Sequence, residues 1–318
     1  MSTSIVFMGT PDFAVPILQS LIDAPEYDVQ AVLTQPDHRI GRKHVLHASP
    51  VKQLAVKYDI PVLQPAKLNK SPEMERIIEL QPDLMITAAY GQFLPTKLLD
   101  AAKIAAINVH GSLLPKYRGG APIQYSIING DAETGVSIMY MVKKMDAGDV
   151  IAQRAIPIEK DDDAGTMFQK LSILGRDLLL ETLPKLIAGD VHPVAQDPDK
   201  VVFSPNISSE QERIDYRMTA QQIDDKVRGL RPAPLGNMIL DGLRTKIYDV
   251  TPLDETTDLP AGQVVRATKH QLVLAAGQGT TYQINKLKPA GKQAMDITAY
   301  LNGHQGLQKG VQAVSEED

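Results

Sequence analysis

"AAINVHGSLLPKYRGGAP", residues 105–122, changes character partway along. Ala105, Ala106 and Ile107 read as the end of a buried strand, and Asn108 and His110 fall where that strand runs out. In open α/β sheets the carboxyl ends of strands are where ligands sit, so the stretch points to that fold class and to a site within it. Asn108 and His110 stand two positions apart, and on extended backbone their side chains project to the same side. By itself such a pair is more often a turn and a cap. Leu113-Leu114-Pro115 then adds an apolar wedge beside the polar pair, the kind of slot a flat aromatic ligand needs. Gly119-Gly120 lets the backbone come close to a ligand, or opens a helix starting near Pro122.

Working outward, strand and helix patterns alternate in the manner of βαβ units. Strands are expected over 4–8, 29–34, 84–88 and 104–109, with a helix over 14–22. Two further strands, 135–141 and 150–158, flank an acidic turn. Met167, Phe168, Leu171, Leu174, Leu178 and Leu186 recur at helical spacing within 164–188, and Gly189 is a plausible stop. These features predict an α/β domain with a mostly parallel sheet over 1–189. Residues 190–206 hold three prolines without a sustained period and read as a linker. The remaining domain, 207–318, offers a helix over 220–230. Short strands follow over 238–240, 246–250, 263–267, 271–275 and 281–287, with an Asp241-Gly242 turn, a pattern that predicts a small β-barrel.

A length of 318 residues suits two domains. The net charge of −5 argues against a protein that holds long duplexes, but leaves room for a smaller nucleic-acid partner. The absence of cysteine removes disulfides, thiolate nucleophiles and Cys-ligated zinc. The start lacks the features of a signal peptide, and no apolar run approaches the length of a membrane span. A cytoplasmic monomer without membrane contact is expected.

Gly9-Thr10-Pro11 sits at a strand-to-helix turn without the remaining glycines of a dinucleotide fingerprint, so no dinucleotide is predicted. Met145-Asp146-Ala147-Gly148-Asp149 reads as a hairpin turn whose Asp146 could orient His110. No Gly-x-Ser-x-Gly elbow accompanies the pair. Residues 35–50 form a long loop carrying Arg39, Arg42 and Lys43, suited to a phosphate-rich partner. The spacing of His38, His44 and His47 matches no zinc signature, and no metal is expected.

Asn-x-His-x-Ser-Leu-Leu-Pro-x-x-Arg-Gly from Asn108, followed by Met-Asp-x-Gly-Asp, resembles the formyltransferases that use 10-formyltetrahydrofolate. The likeness continues in one order through FMGTPDFAVPIL at 7–18, TQPD at 34–37, AAYGQFLP at 88–95, GDAETGVSIM at 130–139, ERIDY at 212–216 and PAGKQAM at 289–295. It implies a Rossmann-like catalytic domain followed by an OB-like barrel that contacts tRNA. It also implies transfer of formyl from 10-formyltetrahydrofolate to the α-amino group of initiator methionyl-tRNA. Asn108, His110 and Asp146 become the catalytic trio. In that trio His110 accepts or shuttles the amine proton, Asn108 donates to the developing oxyanion, and Asp146 holds His110 or a water. Ser112, Leu113, Leu114 and Pro115 would line the folate pocket, with a cis Leu114–Pro115 bond. Tyr90, Gly91, Gln92, Phe93 and Leu94 would form the opposite wall. The loop with Arg39, Arg42 and Lys43 matches the arm that reads the acceptor stem, although His44 and Val45 stand where lysines are common. Pro232-Ala233-Pro234 replaces a usual Pro-Trp-Pro, and Tyr216 a usual tryptophan. Arg213, Arg228, Arg231, Lys286, Lys288 and Lys292 are the candidate RNA contacts of the second domain. Alternatives are a glycinamide ribonucleotide formyltransferase, a sugar-nucleotide formyltransferase and a catalytically idle RNA-binding protein on the same scaffold.

Overall fold

The computed structural model describes residues 2–40 and 45–316, so Arg42, Lys43 and His44 lie outside the described residues. Mutual contacts divide the chain into two units. The first runs to Pro122 and takes in Glu133–Pro157 and Phe168–Pro205; the second joins Ile123–Ala132 and Ile158–Met167 to the chain from Asn206 on. Most of the stretch read as a linker therefore groups with the first unit. Two short excursions of the N-terminal half group with the second.

The first unit is built on strands β1 (Thr3–Gly9), β2 (Tyr27–Leu33), β3 (His38–Ile40), β4 (Val45–His47), β5 (Val62–Leu63), β6 (Leu84–Ala88), β7 (Ala105–His110), β8 (Glu133–Tyr140) and β9 (Val150–Pro157). Seven of them form one sheet in the order β5-β2-β1-β6-β7-β8-β9. The pairs from β5 to β7 are parallel, and β8 and β9 continue antiparallel. Ile5, Val6, Phe7 and Met8 of β1 are all fully buried, which is the signature of a parallel strand covered on both faces. From β1 the chain adds β2 and β5 on one side, then crosses to add β6 and β7 on the other. That reversal puts the topological switch beside β1 and β6, and ligands of such sheets bind outside the carboxyl ends of the strands there.

Helices α1 (Val15–Asp23), α2 (Pro50–Lys57), α3 (Pro72–Leu80) and α4 (Thr96–Leu99) connect the parallel strands. Those two middle helices, α2 and α3, start alike. Ser49 accepts from the Lys52 N–H and Ser71 from the Met74 N–H, each with a proline in the first turn, where its missing donor costs nothing. Helix α5 (Pro122–Ile128) precedes β8, and the long α6 (Ala164–Ile187) follows β9. The hydroxyl of Ser172 on α6 donates to the Phe13 carbonyl at 2.7 Å, fastening the helix across the first unit.

The second unit contains α7 (Ala220–Leu230), then β10 (Gly236–Leu240), β11 (Leu243–Leu253), β12 (Val264–Ala267), β13 (Leu272–Ala275), β14 (Thr281–Pro289), β15 (Met295–Asp296), α8 (Ile297–Leu301) and β16 (Val314–Ser315). The antiparallel sheet runs β12-β13-β14-β11-β10-β16, with β15 on β14. Its edges meet, because the Val264 N–H donates to the Val311 carbonyl and the Ala313 N–H to the Gly262 carbonyl. The sheet is thereby closed into a small barrel that leaves no long free edge. Thr219 and Gln222 form a capping box at the start of α7. Ala220, Ile223 and Val227 of that helix join Ile247, Leu274, Tyr282 and Leu287 in the barrel's apolar core.

Candidate active site

Asn108 and His110 end β7 with 9% and 6% of their surface exposed. Register places Asn108 opposite Thr87 of β6, and His110 opposite Ser137 of β8. His110 Nε2 lies 3.0 Å from the carbonyl oxygen of Tyr117, a group that can only accept, which assigns the ring proton to Nε2. The lone pair of Nδ1 then faces Asp146, whose Oδ2 is 3.8 Å away. That separation is too long for a hydrogen bond. It is short enough for strong attraction once the ring takes a second proton. The same Oδ2 accepts the Gly119 N–H at 2.8 Å, so the backbone holds the carboxylate and leaves the imidazole unblocked. No hydrogen bond engages the Asn108 amide among the described residues.

The loops around this trio have little freedom. Asp146 adopts φ +50° in the turn between β8 and β9. At Gly148 an added Cβ would stand 1.8 Å from the Tyr140 carbonyl oxygen, so only glycine lets the turn close. On the other side, Ser137 Oγ donates to the Ser112 carbonyl at 2.6 Å. It accepts from the Leu114 N–H at 3.1 Å and from Gln153 Nε2 at 2.8 Å. Gln153 also donates to the Leu114 carbonyl at 2.7 Å, and the Leu114–Pro115 bond is cis, as the resemblance implied. Ser137 and Gln153 thus shape the Ser112–Pro115 loop, although nothing in the sequence reading singled them out. The available signal was Ser137 itself, a polar residue in the apolar run of β8, facing Gln153 across the sheet.

The stretch read as a linker forms the back of the site. Val202 and Ser204 exchange backbone hydrogen bonds with Arg118, and Ser204 Oγ donates to the Tyr117 carbonyl at 3.0 Å. Of the expected opposite wall, Tyr90 and Leu94 are core residues packed with Met8, Leu33 and Met85. Burial pushes the Tyr90 hydroxyl up to about 12. The Gln92 amide is engaged by Leu68, Gln35 and Pro65. The wall narrows to its exposed members, Gly91 and Phe93, the latter 62% exposed.

The expected irregular loop over 35–50 contains a hairpin, in which Arg39 of β3 pairs with Leu46 of β4. Arg39, Val45 and Leu46 are exposed on it. Asp37 at its base accepts from Lys52 and Gln64, both at 2.7 Å, and these bonds hold its carboxyl below the usual carboxylate range. In the second unit two predicted RNA contacts are already committed. Arg228 bonds Asp224 at 2.9 Å, Asp225 at 2.5 Å and the Asp162 carbonyl at 2.7 Å; Arg231 bonds Asp163 and Asp249, each at 2.7 Å. Lys286 and Lys288 share the outer face of β14, and the Lys286 ammonium lies 5.6 Å from the ring centre of Tyr248. Lys292 is exposed just beyond β14. Arg213 lines a cavity of about 360 Å³ with Tyr216, Arg217 and Asn237. No group of three or more His, Asp or Glu side chains among the described residues is placed to hold a metal ion.

Residues 3–183 match the formyl transferase family and residues 206–305 the formyl transferase C-terminal domain. The chain is 71% identical to the methionyl-tRNA formyltransferase of Limosilactobacillus fermentum over 99% of both chains. It is 67% identical to that of Lactiplantibacillus plantarum over 95% of both. Among solved structures, the N-formyltransferase of Helicobacter canadensis, in complex with folinic acid and dTDP-3-aminofucose, superposes with a TM-score of 0.69 at 17% identity. That match covers 91% of this chain and 100% of the other, and at such identity it speaks for the fold. Both halves of the sequence match along their length, and the chain belongs to the formyl transferase family.

Proposed function

We propose that the protein transfers the formyl group of 10-formyltetrahydrofolate to the α-amino group of initiator methionyl-tRNA. The observation that carries the reading is the end of β7: an amide with no hydrogen-bond partner among the described residues and an imidazole whose Nδ1 faces a carboxylate held by the backbone. Similarity at 59–71% identity to proteins named methionyl-tRNA formyltransferase supports the choice of acceptor.

The donor supplies a formyl carbon bonded to N10. An aliphatic α-amine with an ordinary pKa of about 7.7–8.0 is neutral in a useful fraction near pH 7, so modest assistance suffices. As the amine nitrogen bonds to the formyl carbon, Asn108 donates to the oxygen on which negative charge grows. His110 Nδ1 takes the proton released by the amine, and Asp146 stabilises the resulting imidazolium across 3.8 Å. The proton then passes to N10 as the old C–N bond breaks, and the ring returns to its neutral form. Pro115 and the exposed Phe93 offer apolar surface to a pterin. The hairpin bearing Arg39 and the outer face of β14 bearing Lys286 and Lys288 offer charge to RNA phosphates. No described helix is long and apolar enough to cross a membrane, and we place the enzyme with charged tRNA in the cytoplasm.

The test is transfer of labelled formyl from 10-formyltetrahydrofolate, with initiator methionyl-tRNA, elongator methionyl-tRNA and glycinamide ribonucleotide as competing acceptors. Selective labelling of the initiator is expected. Labelling of the small amine alone would leave the chemistry standing and overturn the acceptor; no labelling would overturn both.

A further inference from the structure

We infer that Gln196 is a positioning residue for formyl transfer, acting through Asp146 from the segment that follows α6. This rests on the functional reading above. The Gln196 amide uses both of its hydrogens on the turn that carries Asp146, donating to the Asp146 carbonyl at 2.9 Å and to the Gly148 carbonyl at 2.7 Å. Its Oε1 accepts from Arg118 Nε at 2.9 Å. Arg118 is itself immobile: it is 5% exposed, its N–H donates to the Val202 carbonyl at 2.9 Å, and its carbonyl accepts the Ser204 N–H at 2.8 Å. Val194 and Val150 exchange backbone hydrogen bonds of 2.8 and 2.9 Å just before Gln196. The glutamine thus spans a fixed anchor and a turn whose central aspartate occupies the left-handed region, which a non-glycine residue keeps only when its surroundings insist.

The main-chain carbonyl of Asp146 is held by Gln196 and its carboxylate by Gly119, so two contacts define where the negative charge stands relative to His110. Remove the first and the carboxylate keeps one tether on a turn that has lost its second support. Among the described residues Gln196 makes no hydrogen bond to His110 or Asn108, and its effect is exerted on the alignment of Asp146. The contacts also account for a glutamine within a segment that otherwise reads as a spacer.

The test is a double-mutant cycle of Gln196→Met with Asp146→Asn, read as kcat and KM for both substrates beside thermal stability. Methionine fills the same length without a donor or a strong acceptor. For Q196M we expect kcat to fall about tenfold with KM for folate and tRNA within about twofold, the pattern of lost alignment. On the D146N background the same change should cost less than about twofold, because the group being aligned is already compromised. Equal losses on both backgrounds, or a change confined to KM, would overturn the role and leave Gln196 as packing. Should Q196M lose its cooperative fold, Q196N, with the same amide one methylene short, enters the identical cycle and decides by the same criterion. Wild-type chain without formyl transfer would instead overturn the functional reading and take this inference with it.

Discussion

The end of β7 and the last turns of α7 both concentrate polar side chains, and they use them in opposite ways. At β7 the partners of the polar groups are mostly backbone: the Tyr117 carbonyl fixes the His110 ring and the Gly119 N–H fixes the Asp146 carboxylate. Satisfaction by backbone leaves Nδ1, the Asn108 amide and a carboxylate charge available. On α7 the partners are opposite charges. Arg228 closes on Asp224 and Asp225 with about a tenth of each side chain exposed, and Arg231 on Asp163 and Asp249. The charge of those guanidinium groups is already matched by carboxylates. The difference teaches that the partner, more than the residue type, decides whether a charge belongs to function or to folding.

Breaking the α7 cluster should give the largest effect. Arg228→Ala leaves two buried carboxylates without their cation, a change of the kind that costs about 3–5 kcal/mol. Burial already pushes the Asp224 carboxyl up, against the lowering influence of Arg228. Chemical denaturation should show the loss. A variant that unfolds as the wild type does while binding tRNA less tightly would reverse the comparison and return Arg228 to the RNA surface.

At β7 the expected outcome is the mirror image. Asn108→Ala removes one donor to the developing charge and should lower kcat by about 10²- to 10³-fold. The melting temperature should stay within a few degrees, since no described hydrogen bond is lost. Near-normal turnover would show that Asn108 caps a strand and does no chemistry.

Much of this contrast was legible in residue order, and its limits are instructive. Strand 84–88 and helix 220–230 emerge with their expected bounds, because an apolar run in one and a clean helical period in the other leave no competing pattern. Helices α2 and α3 were missed although Ser49-Pro50 and Ser71-Pro72 announce both starts. Their buried faces carry only two residues each, too weak a period to register. Asn108 and His110 fall at the end of β7 and Asp146 in the turn between β8 and β9, where residue order placed them, but their grouping as a trio came from the resemblance and not from spacing. For Arg228 the signal was local and was passed over, since Asp224 and Asp225 stand four and three positions before it on the same helix; Arg231 meets Asp163 sixty-eight positions away, and nothing local announces that partner. Gln196 was hidden for the same reason.

A smaller effect tests whether backbone-held carboxylates in the first unit stabilise it. Asp83 accepts from the Ser4 N–H at 2.9 Å and from its hydroxyl at 2.8 Å, bonds that hold its carboxyl below 3.8. A depressed folded value means that the stabilisation is fully present above the unfolded value and is lost as pH falls through the folded one. Asp83→Asn should therefore melt at a lower temperature than the wild type at pH 7, and the gap should begin to narrow as pH falls below about 4. A gap that does not narrow on acidification would trace the loss to packing.

The smallest effect concerns a residue that belongs to neither side of the comparison. Lys286 stands exposed on β14 with its ammonium over Tyr248, opposite Asp249 in register, while the Asp249 carboxylate is occupied by Arg231 and Asn285. A lysine whose neighbours are engaged elsewhere contributes little to folding, and surface ion pairs are worth about 0–1 kcal/mol in any case. Its charge remains available to RNA. Lys286→Ala should leave unfolding unchanged, weaken binding of initiator and elongator tRNA alike, and reduce the salt slope of binding by about one. Loss confined to the initiator would place a sequence-reading contact on the barrel, whereas an unchanged salt slope would remove β14 from the RNA surface and leave the hairpin of the first unit to carry it.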